Sequence, residues 1–520
     1  MWAKIKDIKL LVLLLVLICF KESCHGIFQL LGLCSSNHNR FAITGSFLNP
    51  GPYGGFLAVC TSILIAYRII NKNAINNRSI KLFSNRVVSV VAITAIVVLP
   101  STQSRSATLS LGCSMILLAF RTYSFKNKIK PILKKYGQWL LMSAIIIGFV
   151  AYLYKKPSAD GRLFVDKICI KAMYENGWKG AGHGHFGRAY GEAQANYFKK
   201  QIDEKGKDDL DWKVINEHDR ISAGCPDNAF NEYLFVGVEA GAFALLLFIG
   251  TIITAIVISF KRGTIWCYGL TAFAVFALFS YPLHVKQFQI MLPILLVTCV
   301  SDRRQHIPEQ NNKTKAKKQK DINNLFIIAL LLFSIVTISA FFAINLHKVR
   351  VNKKMERYWK KVERWHKMEY YEYVIEDCDT LFSYMKNNYH FLFVYGQSLN
   401  KTGNYEKSDS ILLMGTTISS DPMFWNILGN NSLAMGKYRE AEACYKHAFY
   451  MVPNRLYPLN LLAKLYYIEG DTLRFLEMAE IVESFKPKVE SANTELLRAE
   501  IRELKEDNRS VYENNEKNPL

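Results

Sequence analysis

The chain lacks what would make it fibrous, disordered or stapled by disulfides. Its 520 residues hold 29 glycines and 14 prolines, too few for a collagen-like or low-complexity chain. Half of the residues are hydrophobic and 13% are aromatic, which excludes disorder. Eleven cysteines over 520 positions do not make a small disulfide scaffold. Acid is the scarcer charge, with 44 Asp+Glu against 65 Lys+Arg and a net charge of +21. Such an excess suggests nucleic acid only if the bases cluster on a soluble surface, and here they sit between apolar runs. The segment after the first apolar block, Lys21-Glu22-Ser23-Cys24, lacks a small-residue cleavage site. The charged residues before Cys24 exclude a lipobox. The block at 8–20, preceded by Lys4, Lys6 and Lys9, is therefore expected to remain as a helix rather than leave as a signal peptide.

What the chain does have is apolar material in lengths that suit a bilayer. After 8–20 come blocks at 52–70, 87–103, 106–120, 138–154, 232–259, 264–281, 285–300 and 325–346. That makes about nine spans, of which 106–120 and 285–300 are short enough to be tilted or re-entrant. Basic residues mark alternate loops. Arg68, Lys72, Arg78, Lys81 and Arg86 fall in one, and Arg121 to Lys135 in the next. Lys261 and Arg262 follow the sixth block, and Arg303 to Lys320 follow the eighth. If nine spans alternate, all these loops share one side, which basic-residue bias places in the cytoplasm. The basic runs thus read as topology anchors, and no nucleic-acid partner is expected. The segments 23–51, about 155–231 and everything after 347 then face outward. The 155–231 loop is polar and too long for a passive connector, so it should fold as a cap over the membrane part. Cys24 with Cys34, and Cys169 with Cys225, lie on the oxidising side, where disulfides are permitted but not fixed by spacing.

The tail has a period near 34. Gly403-Asn404-Tyr405, Gly436-Lys437-Tyr438 and Gly470-Asp471-Thr472 recur, as do Pro422, Pro453 and Pro487. The unit from Pro422 to Pro453 has Trp425, Leu428, Gly429, Gly436, Tyr438, Ala441, Tyr445 and Ala448 where a tetratricopeptide repeat requires them. Gly429 and Ala441 let two helices approach, Trp425, Leu428 and Tyr445 fill the gap, and Pro453 stops the second helix. Four repeats are expected, at 355–387, 388–421, 422–454 and 455–488, with a charged helix as cap. Such an array docks a protein partner on its concave surface, or props the outer loop.

Several polar groups fall at the outward ends of spans, where desolvation is costly. Arg105 lies in Ser101-Thr102-Gln103-Ser104-Arg105-Ser106, where no basic anchor is expected. A guanidinium fork there suits phosphate oxygens, although a helix-end ion pair explains it too. Arg162, in Asp160-Gly161-Arg162, makes a two-arginine pyrophosphate site on the same face. The run Gly180-Ala181-Gly182-His183-Gly184-His185-Phe186-Gly187 lacks the context of a nucleotide loop. Its glycines should bring backbone close to the membrane part. No cysteine or carboxylate cluster completes a zinc set with His183 and His185, so no metal is expected, and either histidine can act as a general base. Asn231, Glu232 and Glu239 open the sixth span. A carboxylate there can activate a sugar hydroxyl, and Asn231 can equally be a helix cap.

These segments resemble, in order, those of the O-antigen ligase and O-antigen polymerase superfamily. Ile43-Thr44-Gly45-Ser46-Phe47-Leu48-Asn49-Pro50-Gly51-Pro52-Tyr53 resembles its G-F-x-N-P segment, and Ser104-Arg105-Ser106-Ala107 its S-R-[GS]-A segment. Asp160-Gly161-Arg162, the glycine-rich run, and Asn231-Glu232-Tyr233-Leu234 with Glu239-Ala240-Gly241 follow in the family's order. The resemblance covers roughly 27–300, and the tail resembles the tetratricopeptide extension of some members. It implies an all-α, polytopic bundle of the C superfamily of glycosyltransferases. Membrane helices would occupy 1–154 and 232–346, a periplasmic loop domain 155–231, and a periplasmic tetratricopeptide α-solenoid 347–520. It implies a multi-pass enzyme of the bacterial inner membrane that takes a glycan from undecaprenyl pyrophosphate. The acceptor would be lipid A core (a ligase), another glycan (a polymerase) or a protein hydroxyl, with no metal, nucleotide sugar or other cofactor. Arg105 and Arg162 inherit the pyrophosphate contacts. Ser104, Asn49, Asn231 and Glu239 are the accompanying substrate-side positions. Phe230 stands where the family commonly has a histidine, which leaves His183, His185 or Glu232 as stand-ins. The non-enzymatic alternative is a membrane-anchored scaffold that recruits proteins through the repeats. A transporter is disfavoured, because no charged residues line the span centres.

Overall fold

The computed structural model describes residues 6–70, 78–122, 156–206, 210–301 and 352–517, with the single positions 135, 138 and 142. Every regular element among the described residues is helical, in keeping with the all-α expectation. In chain order the first are α1 (Lys6–Leu30), α2 (Pro50–Ile70), α3 (Arg78–Val98) and α4 (Arg105–Thr122). Then come α5 (Lys156–Asn176), α6 (Phe186–Lys205), α7 (Glu217–Ser222), α8 (Glu232–Arg262), α9 (Trp266–Ala277) and α10 (Lys286–Ser301). The tail holds α11 (Asn352–Lys367), α12 (Tyr371–Met385), α13 (Tyr389–Lys401), α14 (Tyr405–Thr416) and α15 (Met423–Ala434). It continues with α16 (Tyr438–Met451), α17 (Tyr457–Glu469), α18 (Thr472–Ser484) and α19 (Ala492–Lys517). Two compact units form: residues 1–155, 230–233 and 244–344, and residues 156–229, 234–243 and 345–520.

Four described helices are long and apolar enough to cross a membrane: Leu10–Leu30, Pro50–Ile70, Asn85–Thr102 and Glu232–Arg262. The α9 and α10 helices are apolar but shorter, and α4 carries Ser106, Thr108, Ser110 and Ser114 among its apolar residues. The span expected at 325–346, and that at 138–154 apart from positions 138 and 142, lie outside the described residues.

In the first unit, α2 is buried along most of its length between α4 and α9. Small residues make this possible, as they do wherever helices must approach in lipid. A Cβ on Gly54 would lie 2.7 Å from Thr102 Oγ1 and 3.2 Å from the Cβ atoms of Ser104 and Ala107. One on Gly269 would lie 2.5 Å from Ile63, and one on Gly55 would overlap the Phe276 ring. Ser114 Oγ adds a bond to the Tyr268 carbonyl at 2.9 Å, the kind of interhelical contact that contributes about 0.6 kcal/mol in a membrane. The basic helix ends are tied together. Arg121 donates to the Phe260 carbonyl at 2.8 Å, and Arg262 donates to the Val300 carbonyl. Arginines there bond carbonyls at the ends of the helices and complement the negative end of the dipole.

The second unit joins two segments that the sequence reading kept apart. Helices α11 to α18 form four antiparallel hairpins, and α19 closes the row. The turns of the last three hairpins fall at Gly403, Gly436 and Gly470, with φ of 81, 75 and 78. Gly396 seats Leu412 and Gly429 seats Tyr445, at matching positions of successive hairpins. Onto these hairpins packs the 156–229 segment. Gly187 and Gly191 of α6 lie against the backbone of 418–420, and a Cβ on Gly191 would stand 2.8 Å from Met451. Gln194 donates to the Met451 carbonyl and, at 2.9 Å, to that of Gly224. Asn454 Nδ2 donates to Arg220 and Ala223 carbonyls at 2.8 and 2.9 Å. Arg220, buried between Trp212 and Phe485, donates to the Lys486 carbonyl at 2.6 Å. The 156–229 segment and the tail share one hydrophobic core. The reason is the small-residue face of α6, which needs a partner that sequence periodicity does not name.

Candidate functional site

Three of the segments that carry the resemblance are helix N-termini of the first unit. Asn49 Oδ1 accepts from Gly51 N at 3.0 Å at the start of α2. Ser104 Oγ accepts from Ala107 N at 3.3 Å at the start of α4. Asn231 Oδ1 accepts from Tyr233 N at 3.2 Å at the start of α8. All three side chains thus act as caps, so Asn231 takes the capping role that the sequence left open. The starts of α2 and α4 lie side by side, through Gly54 against Thr102 and Ser104. The C-terminal half of α9 meets the start of α2 at Phe276 and the start of α8 at Ala274, whose carbonyl accepts from Tyr233 Oη at 3.0 Å. Arg105 is the first residue of α4 and is exposed. Helix N-termini carry partial positive charge and bind anions, and Arg105 adds a full one.

Two of the three described non-glycine residues with positive φ precede these caps: Gln103 and Phe230, both at φ 51. A left-handed residue with a side chain costs about 1–2 kcal/mol. Such cost is tolerated where backbone must be aimed, and it concentrates at functional sites.

Glu232 is 1% exposed. Its Oε2 accepts from Leu283 N at 2.9 Å, and its Oε1 lies 3.6 Å from His284 Nδ1. His284 ends the short turn Pro282–His284 and is one-third exposed. The Tyr281 ring stands between, meeting Phe230 edge-on at 5.7 Å and His284 at 6.3 Å. Sequence reasoning missed His284. The only available signal was a histidine in the short outward turn between two apolar blocks, fifty-two residues from its partner carboxylate.

The loop preceding α2 is held from α1 by two further residues that sequence reasoning missed. Gln29 Oε1 accepts from Thr44 N and Gly45 N at 2.9 and 2.8 Å, and buried Glu22 accepts from Ser46 N and Ser46 Oγ at 3.1 and 2.9 Å. Polar groups inside an apolar helix were the signal, and their task is to fix the approach to Asn49.

A second carboxylate–histidine pair lies in the second unit. α8 breaks at Gly241, whose φ of 84 and ψ of 172 are not helical. The break releases carbonyls that a continuous helix would use, and the glycine-rich loop takes them: Ala181 N donates to Val238 O at 2.8 Å and Gly182 N to Glu239 O at 2.9 Å. The Glu239 carboxylate is 8% exposed and accepts from Gly184 N at 2.9 Å and Phe186 N at 3.4 Å. Its Oε2 lies 3.2 Å from His183 Nδ1. Only glycine fits at Gly180 and Gly241. A Cβ on the first would overlap Gly241 N and stand 2.5 Å from Glu239 O, and one on the second would overlap the Trp178 carbonyl. The backbones of residues 178–180 and 239–241 thus approach each other through these glycines.

His185 Nδ1 donates to the Thr417 carbonyl at 2.6 Å, which ties the loop to the tail hairpins. Arg162 is exposed on α5 of the second unit, whereas Arg105 belongs to the first. Among the described residues no three His, Cys, Asp or Glu side chains are grouped as metal ligands. All eleven cysteines are unbridged, including Cys24, Cys34, Cys169 and Cys225. No protein-family model matches the chain, and no curated protein matches it.

Proposed function

We propose that the chain is a membrane-embedded transferase that moves a glycan from a polyprenyl pyrophosphate, such as undecaprenyl pyrophosphate, to an acceptor hydroxyl at the outward face. Lipid A core is the favoured acceptor. The observation that carries this reading is the gathering of the α2, α4 and α8 starts around one end of α9, with Arg105 at the head of α4. That end of the first unit offers donors and positive charge where basic anchors are not needed for topology. The nine-span topology, the periplasmic tail and its tetratricopeptide character belong to the same proposal. They are supported by the alternating basic loops and by the glycine turns spaced near 34 residues.

The reaction forms a bond between the acceptor oxygen and the anomeric carbon and breaks the bond from that carbon to pyrophosphate. The electron pair leaves with the lipid pyrophosphate. Charge grows on the leaving group, so Arg105 binds the transition state more strongly than the ground state, and the resemblance gives Arg162 a pyrophosphate contact as well. The acceptor hydroxyl must lose a proton. His284 is the base that fits, because Glu232 faces its Nδ1 and leaves Nε2 as the nitrogen turned from the carboxylate. Phe230 cannot take that proton.

Arg105→Ala and Arg162→Ala are expected to abolish glycan transfer while protein levels hold. The loss should be about 2.7–4 kcal/mol in barrier, or 10²–10³-fold. Lipopolysaccharide and glycoprotein profiles of cells carrying each variant test this. Wild-type profiles from both variants refute the reading. A protein acceptor is the second reading, favoured by the hairpins that hold the His185 end of the glycine loop. Deleting 355–520 would then abolish transfer to protein alone.

A further inference from the structure

We propose that the first unit carries a site for an anionic phospholipid at the end opposite its Arg105, with the lipid phosphate held between Arg121 and Lys261. This needs the first unit to lie in a bilayer and does not depend on the glycan reading.

Bases collect at that end. Arg121 lies in the last turn of α4, and Lys261 and Arg262 in the last turn of α8. Arg121 donates to the Phe260 carbonyl at 2.8 Å, which seats its guanidinium beside Lys261. Tyr268 and Gly269 of α9 meet Ser114 of α4 and Ile63 of α2, so α2 and α4 run in step. Arg68, in the last turn of α2, therefore reaches the same end. Its Nε donates to Ser89 Oγ at 3.3 Å, which brings Arg86 of α3 there too.

What this end has little of is acid. No Asp or Glu occurs between Glu22 and Asp160, or between Glu239 and Asp302. Glu22 and Glu232 are buried at the opposite end, beside the loop preceding α2 and the Pro282–His284 turn. Asp7, at the start of α1, stands between Lys6 and Lys9. The described helices thus do not balance their own charge here, and an anion from outside the chain does.

The Phe260 carbonyl takes one of the five N–H groups of Arg121, and the fork suits phosphate oxygens. Gly263 keeps room for it, because a Cβ there would overlap Arg121 Nη2. Lys261 is exposed beside it and adds a second positive charge. Apolar surface runs up to both bases. Ile116 and Phe120 of α4 are 57% and 40% exposed, and Ile253 and Val257, one and two turns before Lys261 on the same stripe, are 55% and 42% exposed. A charged head with acyl chains matches both parts, whereas a free anion matches one.

The test uses the full-length protein, stripped of lipid in a neutral detergent. Phosphatidylglycerol should raise its unfolding temperature saturably, and phosphatidylcholine and inorganic phosphate should not. Arg121→Ala and Lys261→Ala should each need about fivefold more phosphatidylglycerol for half the shift, the share of one base at a lipid surface. Arg121→Ala also loses the bond to Phe260, so Lys261→Ala decides the matter if the first variant fails to fold. Arg40→Ala, in the loop preceding α2 at the opposite end, should respond as wild type. An equal shift from phosphatidylcholine means that the chains alone stabilise, and one from inorganic phosphate means a free-anion site; either overturns the proposal. So does a wild-type response of Lys261→Ala, or a loss in Arg40→Ala as large as in Lys261→Ala.

Discussion

Among the described residues two buried glutamates each face a histidine, one pair in each unit, and they are held in different ways. Glu239 is gripped by two backbone N–H groups of a loop rich in left-handed glycines. Glu232 receives one backbone N–H, and its histidine stands slightly farther off at 3.6 Å. The first arrangement locks a loop onto a broken helix. The second leaves a histidine oriented by a carboxylate, in the unit that also contains Arg105. On the proposed reading, a histidine beside a carboxylate is a latch in one place and a base in the other, and the backbone bonds around the carboxylate differ between the two.

The sharpest way to break this comparison is to remove each histidine in turn. His284→Ala should cut transfer about 10²–10⁴-fold, the usual share of a general base, with little change in thermal stability. His183→Ala should leave turnover within a few-fold of wild type. Equal losses from the two variants, measured as initial rates in membranes, would erase the distinction.

Next in size is the latch itself. Gly180→Ala forces a left-handed residue with a side chain into occupied space. It should destabilise the protein by about 2–4 kcal/mol, from left-handed strain and overpacking together. Glu239→Ala leaves Gly184 N and Phe186 N without their acceptor and should cost about 1–3 kcal/mol. Protease nicking within 180–187 should rise in both variants. Glu232→Gln should leave that nicking unchanged while lowering transfer.

A smaller effect is expected in the tail. Gly429→Ala presses on the Tyr445 ring and should cost about 1–3 kcal/mol, read as a lower unfolding temperature.

The smallest concerns pH. Asp219 is pushed up by burial, but bonds from Lys167 and Tyr197 outweigh that and hold its carboxyl below the usual range. Burial pulls Lys167 down, but its bonds to Asp219 and Tyr197 raise it above the usual range. The Asp219 contribution is therefore complete above its unfolded pKa of about 3.9 and is lost as pH falls through its lower folded value. The Lys167 contribution is complete below about pH 10.4 and is lost as pH rises through its raised folded value. For so exposed a pair the effect at neutral pH is under about 1 kcal/mol. Asp219→Asn should lower the unfolding temperature slightly at pH 7, and the difference should vanish in strong acid.

Much of the helical plan was legible in the sequence, because it rests on local chemistry. Gly403, Gly436 and Gly470 mark turns that a side chain would strain, so their period shows where the hairpins reverse. Of the glycines from 180 to 184, expected to bring backbone close to the membrane part, Gly180 makes a close approach, to the backbone of residues 239–241. The Ser104-Arg105 segment was conspicuous because a guanidinium had no topological task there. The pairing of distant groups was not legible. His284 meets Glu232 only through the turn after α9, and nothing in spacing links them. The seat of α6 on α16 and on the 418–420 turn depends on Gly187, Gly191 and Gln194, which read as an ordinary helix until the partner is present. The break at Gly241 was hidden inside an apolar run long enough to look like one uninterrupted span.

The most direct measurement is release of lipid pyrophosphate by the full-length protein reconstituted with an undecaprenyl-pyrophosphate-linked glycan and lipid A core. Wild type should release it only when the acceptor is present, and Arg105→Ala should release at least about 10²-fold less. Equal release by both proteins would contradict the account.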